Sequence, residues 1–420
     1  MKDAGAVASL AIIDIRDHRS KVGKDENTTI ANQAYILKSL KHKKEVEKLR
    51  KIYGKNFWLI SAYSPRNKRL DFLADLITEK TPSLESKSRQ FAEELIERDL
   101  YNPEYEKMGQ DVRDAFPMAD FFVNVSENDF IDKIDRFVEL IFNNTLRTPT
   151  IDEYGMFHAY ASAFRSSSLS RQVGSSIVSQ DGDLISTGTN EVPKYGGGHY
   201  VEGDPNDKRE LKKKKDSNHT IRNDMLHDVF DLLKEAKWFK DEIRDTKTEE
   251  LVDNALDSKI LKEIKFMNVT EFGREVHAEM SALMDASRRT ISVKKGTLFC
   301  TTFPCHVCAK HIISAGIERV IYIEPYPKSL ALKLFKDSIS VDEDLLENKV
   351  NYEPFVGISP VRYMDLFEMS ERKDDDTGLL KEWNAAEAIP RYKETKPYPD
   401  DEAGDLEKFT PKLAKFKETK

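Results

Sequence analysis

Apolar positions recur along this chain with two different periods, and the periods mark its elements. Within Lys43–Tyr53, Val46, Leu49 and Ile52 return every third residue on one face, which predicts an amphipathic helix. Residues 57–62 (FWLISA) and 120–125 (DFFVNV) are short apolar runs and read as buried strands. Residues 84–100 and 130–142 read as helices. This alternation predicts an α/β arrangement over residues 1–148, closed at Thr148-Pro149.

A second block is expected over 149–340. Residues 151–165 carry a helical pattern. Residues 172–178 and 184–188 form two strands of a hairpin, with Asp181-Gly182 as the turn. A long polar stretch at about 195–272 then interrupts the periodicity. It holds Gly196-Gly197-Gly198, the lysine run 212–215 and a helical piece over 226–238. Regular patterns return as helix 277–289, strand Thr297–Thr302, helix 306–314 and strand 319–323. From 341 to 420 a C-terminal extension is expected. Its last part, 371–420, is rich in charge and proline and reads as an extended tail, partly mobile or lying across another surface.

Composition narrows the classes. The chain has 420 residues, 39% of them hydrophobic, enough for two or three cores at about 150 residues each. A net charge of −8 argues against a protein built to coat nucleic acid. No apolar run reaches the ~18 residues that a membrane span needs, so no membrane partner is expected. The mildly apolar residues 6–15 carry acidic flanks and make a poor signal peptide. The three cysteines, Cys300, Cys305 and Cys308, fall within nine residues. An odd, clustered set is no disulfide framework, so a cytoplasmic protein with thiols kept for metal is expected.

The chemistry concentrates at His277, Glu279, Cys305 and Cys308. They stand in HAE at one helix start and PCHVC at another. Imidazole and two thiolates suit zinc, and the positive helix N-terminus favours thiolates over thiols. Three protein ligands leave one position for water, as in catalytic rather than structural sites. Glu279, two residues past His277, is then the general acid/base: it takes the water proton and hands it to a ring nitrogen and a leaving amine. A structural site would want a fourth ligand. His306 lies between the two cysteines and His311 follows, but His306 points away if both cysteines bind. Cys300 reads as a core residue of its strand. This H-x-E…P-C-x-x-C pattern is that of zinc deaminases.

These residues resemble the cytidine and deoxycytidylate deaminase family. Arg171-Gln172-Val173-Gly174, the hairpin after it, Thr187-Gly188-Thr189-Asn190 and residues 301–308 (TTFPCHVC) look like the deoxycytidylate branch. The resemblance implies a three-layer α/β/α domain with a five-stranded mixed sheet and both zinc helices on one face. It implies that Asn190 binds the nucleoside, with Arg171 on the phosphate side. The layout of the whole chain is similar to the anti-phage dCTP deaminases, through residues 34–54, 324–329 (EPYPKS) and 354–367. That likeness implies a kinase-like P-loop portion over 1–148, deamination of dCTP and sometimes dCMP, a homo-oligomer, and a partner RNA that holds the enzyme inactive. One departure is plain: no G-x-x-x-x-G-K-[ST] is present. The early pair Gly23-Lys24 lacks the first glycine and the hydroxyl residue, so ATP binding is not expected.

Weaker signals have two readings each. The lysine run 212–215 is a solvated loop or a contact for triphosphate or RNA. Gly196-Gly197-Gly198 is a hinge or a plain linker. His199 and His219 are surface histidines or part of a second metal site. Tyr326 is a pocket wall against the base or a packing residue. Glu275 orients His277 or is simply exposed. The competing functions are a housekeeping dCMP deaminase, a deaminase acting on cytosine or adenine in RNA or single-stranded DNA, and a non-catalytic nucleotide or RNA sensor.

Overall fold

A computed structural model describes residues 3–23, 25–100, 111–257, 271–341, 348–368, 371–392 and 398–418. Lys24 of the Gly-Lys pair, residues 258–270 of the polar stretch and 393–397 of the tail lie outside the described residues. Nine strands follow along the described chain: β1 (Ile60–Tyr63), β2 (Phe121–Asn124), β3 (Gly174–Val178), β4 (Leu184–Thr189), β5 (Thr297–Thr302), β6 (Arg319–Glu324), β7 (Ile339–Val341), β8 (Val350–Pro354) and β9 (Gly357–Ile358). The chain divides into two compact units, one of residues 1–153 with 356–420, the other of 154–355. These bounds differ from those expected at 148 and 340. The segment 341–355 goes with the second unit and the tail with the first.

In the first unit β1 and β2 pair in parallel, Ile60 opposite Phe121, and β9 adds antiparallel to β2. β2 is the middle strand, and its Phe121, Phe122 and Val123 are buried as a continuous apolar run should be. Phe121 stacks on Phe137 of helix Phe130–Ile141, ring centroids 4.6 Å apart. Helix Lys43–Tyr53 buries Val46, Leu49 and Ile52, the expected face. A capping box starts it: His42 accepts from Lys44 N–H at 3.0 Å, and Glu45 accepts from His42 N–H at 3.1 Å. The buried Asp120 accepts from Leu59 N–H at 2.7 Å, Arg50 at 2.8 Å and Arg362 at 2.9 Å, so its charge is compensated on three sides.

The expected extended tail is corrected over its last part. Tyr398–Glu418 is a helix that buries Glu402 and Phe409. Glu402 forms an ion pair with Arg19 of helix Ala6–Gly23, both fully buried, and accepts from the Tyr53 hydroxyl at 2.8 Å. Removing one partner of such a pair strands the other charge, at a cost of about 3–5 kcal/mol. Glu402→Ala is therefore expected to lower the urea midpoint of this unit by several tenths of its value. An unchanged midpoint would show that the pair adds nothing to folding.

In the second unit the strand order is β4-β3-β5-β6-β8-β7. β4–β3 and β3–β5 are antiparallel and the other pairs are parallel, so the sheet is mixed, as expected. It has six strands, not five. The edge strand β7 has three residues and pairs with β8 through Ile339 opposite Val350. Three residues give too short an alternation to read from sequence. The hairpin β3–β4 turns at Asp181-Gly182 as anticipated, with Gly182 at φ +90°. Helix Ile151–Ala163 packs on one face of this sheet: Ser176 donates to Gly155 O at 2.7 Å, and a Cβ on Gly155 would meet the Phe299 ring at 2.3 Å. Helices Ala278–Arg288 and His306–Ala315 cover the other face, over Ile177, Leu298, Cys300, Val320 and Tyr352. Among the described residues no helix is long and apolar enough to cross a membrane.

Candidate active site

The site is built from the starts of two neighbouring helices. His277 is the N-cap of Ala278–Arg288 and Cys305 the N-cap of His306–Ala315, both in extended conformation, and neither spends its side chain on capping. Imidazole and thiol are therefore free to turn toward each other. His277 Nδ1 lies 3.3 Å from Cys305 Sγ and 3.3 Å from Cys308 Sγ, and the three donor atoms lie within 4.8 Å of one another. Zinc bonds of about 2.05 Å to nitrogen and 2.3 Å to sulfur at tetrahedral angles put N and S about 3.6 Å apart. The spacing, the burial and the soft donor set fit a zinc ion.

Electrostatics agree. The hydrogen bond from Cys308, and after it His277, holds the Cys305 thiol down at about 4. The bond to Cys305 raises His277 to about 9, against burial. The bond to Cys305 and burial push the Cys308 thiol up. A negative sulfur is thus held ready for a cation. Glu279, in the first turn of its helix, is 4% exposed. Burial pushes its carboxyl up, while His277 and a hydrogen bond with Cys308 pull the other way. It stands beside the ligand group without belonging to it.

The other expected residues are placed as follows. Asn190 is buried at the end of β4. Its Oδ1 accepts from Val173 N–H at 2.7 Å, and its Nδ2 donates to Arg171 O at 2.8 Å and to Glu275 at 3.4 Å. Its amide thus braces the segment entering β3. Arg171 is half-exposed in an ion pair with Glu324. Tyr326 is half-buried against the core that contains Cys305, and burial raises its hydroxyl. Glu275 hydrogen-bonds Asn190 rather than His277, and burial pushes it up to about 7. His306 turns to Glu271 at 3.2 Å, away from the ligands. Cys300 is fully buried in β5 and outside the ligand group. His199 and His219 join no metal-ligand group among the described residues. Gly196, Gly197 and Gly198 all take positive φ in a tight turn closed by Lys194 N–H to Gly198 O at 3.1 Å.

Sequence reasoning passed over how the Glu279 helix is seated. Ser186 of β4 donates to Ala282 O at 2.9 Å, and Ser281 accepts from Thr189 N–H at 3.3 Å. Between them Gly188 offers no side chain, and a Cβ there would lie 2.0 Å from Ala278 O. The alternation of small residues at 186 and 188 was the available signal.

Residues 149–324 match the family described as the cytidine and deoxycytidylate deaminase zinc-binding region. A deoxycytidylate deaminase of Enterobacteria phage T2 is 40% identical over 55 residues, 13% of this chain and 29% of that protein. ComE operon protein 2 of Bacillus subtilis (strain 168) is 32% identical over 83 residues, 18% of this chain and 44% of that protein. The chain thus spans less than half the length of either relative. The apo dCMP deaminase of cyanophage S-TIM5 aligns over all of its own chain and 50% of this one, at 19% identity and a TM-score of 0.27. Residues 149–324, which enclose the converging His277, Cys305 and Cys308, are thus similar to the zinc-binding region of cytidine and deoxycytidylate deaminases.

Proposed function

We propose that this chain catalyses the zinc-dependent hydrolytic deamination of a deoxycytidine nucleotide to the deoxyuridine nucleotide and ammonia. The observation that carries the reading is the triangle of His277 Nδ1 and two sulfurs with the buried Glu279 beside it. His277, Cys305 and Cys308 hold the ion, and a zinc ion so bound supplies acidified water, with a pKa near ~7. Glu279 takes a proton from the attacking water and delivers it to ring N3. A second proton goes through the same carboxyl to the amine. A C4–O bond forms, the C4–N bond breaks, and ammonia leaves. Burial suits Glu279 to this work, since a carboxyl whose hold on a proton is raised by burial both accepts and returns protons. Asn190 and Tyr326 are read as contacts for the nucleoside, and Arg171, released from Glu324, as a contact for its phosphate.

The finer reading is an anti-phage enzyme that depletes dCTP, acts as a homo-oligomer, is restrained by RNA and works in the cytoplasm. It rests on the sequence likeness over 34–54, 324–329 and 354–367, as does the kinase-like ancestry of the first unit. A housekeeping dCMP deaminase is the second reading, favoured by relatives named deoxycytidylate deaminase from phage T2 to Homo sapiens. Purified chain given zinc and dCMP, dCTP, CMP or CTP separates them. Uracil product from dCTP supports the first, product from dCMP alone supports the second, and no product from any of the four removes the proposal. Equal turnover of oligonucleotides would favour the RNA or single-stranded DNA reading.

A further inference from the structure

Two glycines sit on adjacent rungs of the β3–β4 hairpin. Gly174 lies opposite Thr189, and Gly188 lies opposite Ser175. They face opposite sides of the sheet. A Cβ on Gly174 would meet Ala159 O at 1.9 Å and Ala163 N at 2.4 Å, in helix Ile151–Ala163. A Cβ on Gly188 would meet Ala278 O at 2.0 Å and Ala282 N at 2.4 Å, in the Glu279 helix. Each helix therefore rests on bare backbone. Ala278 is the residue between His277 and Glu279, so the atom that touches β4 belongs to the peptide joining the ligand to the acid. The same contact is pinned from both sides, by Ser186 Oγ to Ala282 O and Thr189 N–H to Ser281 Oγ. The cysteine pair hangs on a different support, the end of β5 and helix His306–Ala315.

We propose that Gly188, with Ser186 and Ser281, is a positioning seat that fixes the height of the Glu279 helix and so brings His277 Nδ1 into range of Cys305 and Cys308. The proposal rests on the zinc reading above. Ordinary nonbonded contacts lie at about 3.5 Å, so an alanine at 188 forces the helix back by roughly 1.5 Å. Metal bonds tolerate only about 0.2 Å. The backing-off therefore stretches the nitrogen–sulfur spacing beyond what one ion can bridge without distortion.

Gly174→Ala is the matched control, an equal clash on the opposite face against a helix that carries none of the metal-facing side chains. The 420-residue chain is loaded with zinc, and release to a chelator is timed. The chain is also loaded with cobalt(II), whose ligand-field bands are strong only in tetrahedral sites. Gly188→Ala is expected to release zinc at least tenfold faster than wild type and to lose cobalt band intensity. Gly174→Ala is expected to stay within about twofold on both readouts while melting at a comparably lowered temperature. If Gly188→Ala does not fold, the double variant Ser186→Ala, Ser281→Ala reports instead, with release accelerated severalfold. The seat is overturned if the 188 variant (or, failing its folding, the double serine variant) keeps wild-type release and spectrum. It is equally overturned if both glycine variants shift the two readouts alike, since the effect is then general destabilisation. A wild-type chain that retains no zinc or cobalt overturns the deaminase reading together with this one.

Discussion

Glu279→Gln is expected to lower kcat about 10³-fold, roughly 4 kcal/mol of barrier, while zinc stays bound at one ion per chain. The amide keeps the volume of the carboxyl, so the packing around residue 279, 4% exposed, is undisturbed. It cannot accept the water proton, so both transfers to the pyrimidine lose their carrier. The proposed ligands are His277, Cys305 and Cys308, so the metal is expected to remain. Burial opposes the charged form of Glu279, and a neutral amide escapes that opposition. The melting temperature of the variant is therefore expected to equal or exceed that of the wild type. Loss of turnover without loss of stability is the mark of a group kept for chemistry at a cost to folding. Turnover on dCMP and dCTP, metal content and thermal melts check the three parts. Retention of more than a tenth of wild-type kcat would remove Glu279 from the mechanism.

The convergence of His277, Cys305 and Cys308 was legible because helix starts announce themselves locally. His277 and Cys305 each precede a helical pattern, and the spacing from Cys305 to Cys308 spans one turn. The buried face of Lys43–Tyr53 was legible for the same reason: Val46, Leu49 and Ile52 need only the helical repeat. Strand β2 was readable from its unbroken apolar run, which a central strand requires.

What stayed hidden depends on distant partners. Nothing near residue 402 says that its carboxylate will be buried, because the guanidinium that permits it is Arg19, 383 residues away. Charge and proline in 371–420 were read as an extended tail, yet Glu402 and Phe409 face inward from a helix. The family resemblance placed Arg171 on the phosphate side, and its pairing with Glu324 depends on the order in which β3, β5 and β6 assemble. Gly188 reads locally as one more glycine of a strand end. Only the docked helix shows why a methyl group is forbidden there.

Cys308→Ala is expected to leave the chain with less than a tenth of a zinc ion per molecule and no measurable deamination. Cys308 is fully buried, so no water-exposed thiol nearby can take its place. His306, the adjacent candidate, is turned to Glu271. Cys300 is fully buried in the core of β5, outside the group formed by His277, Cys305 and Cys308. Two ligands remain, His277 and Cys305, and Cys305 loses the neighbour whose hydrogen bond most lowers its pKa. Stability should follow the metal. An ion that binds only the folded chain stabilises it by RT ln(1 + [Zn]/Kd), about 4 kcal/mol at a thousandfold excess over Kd. Wild-type protein should therefore melt several degrees lower after chelation, and recover when zinc returns. Cys308→Ala should melt at one temperature with chelator, with zinc or with neither. His306→Ala should behave as wild type in all three conditions. A Cys308→Ala chain that still melts higher with zinc would mean that the ion sits elsewhere, and the assignment of Glu279 as its neighbouring acid would fall with it.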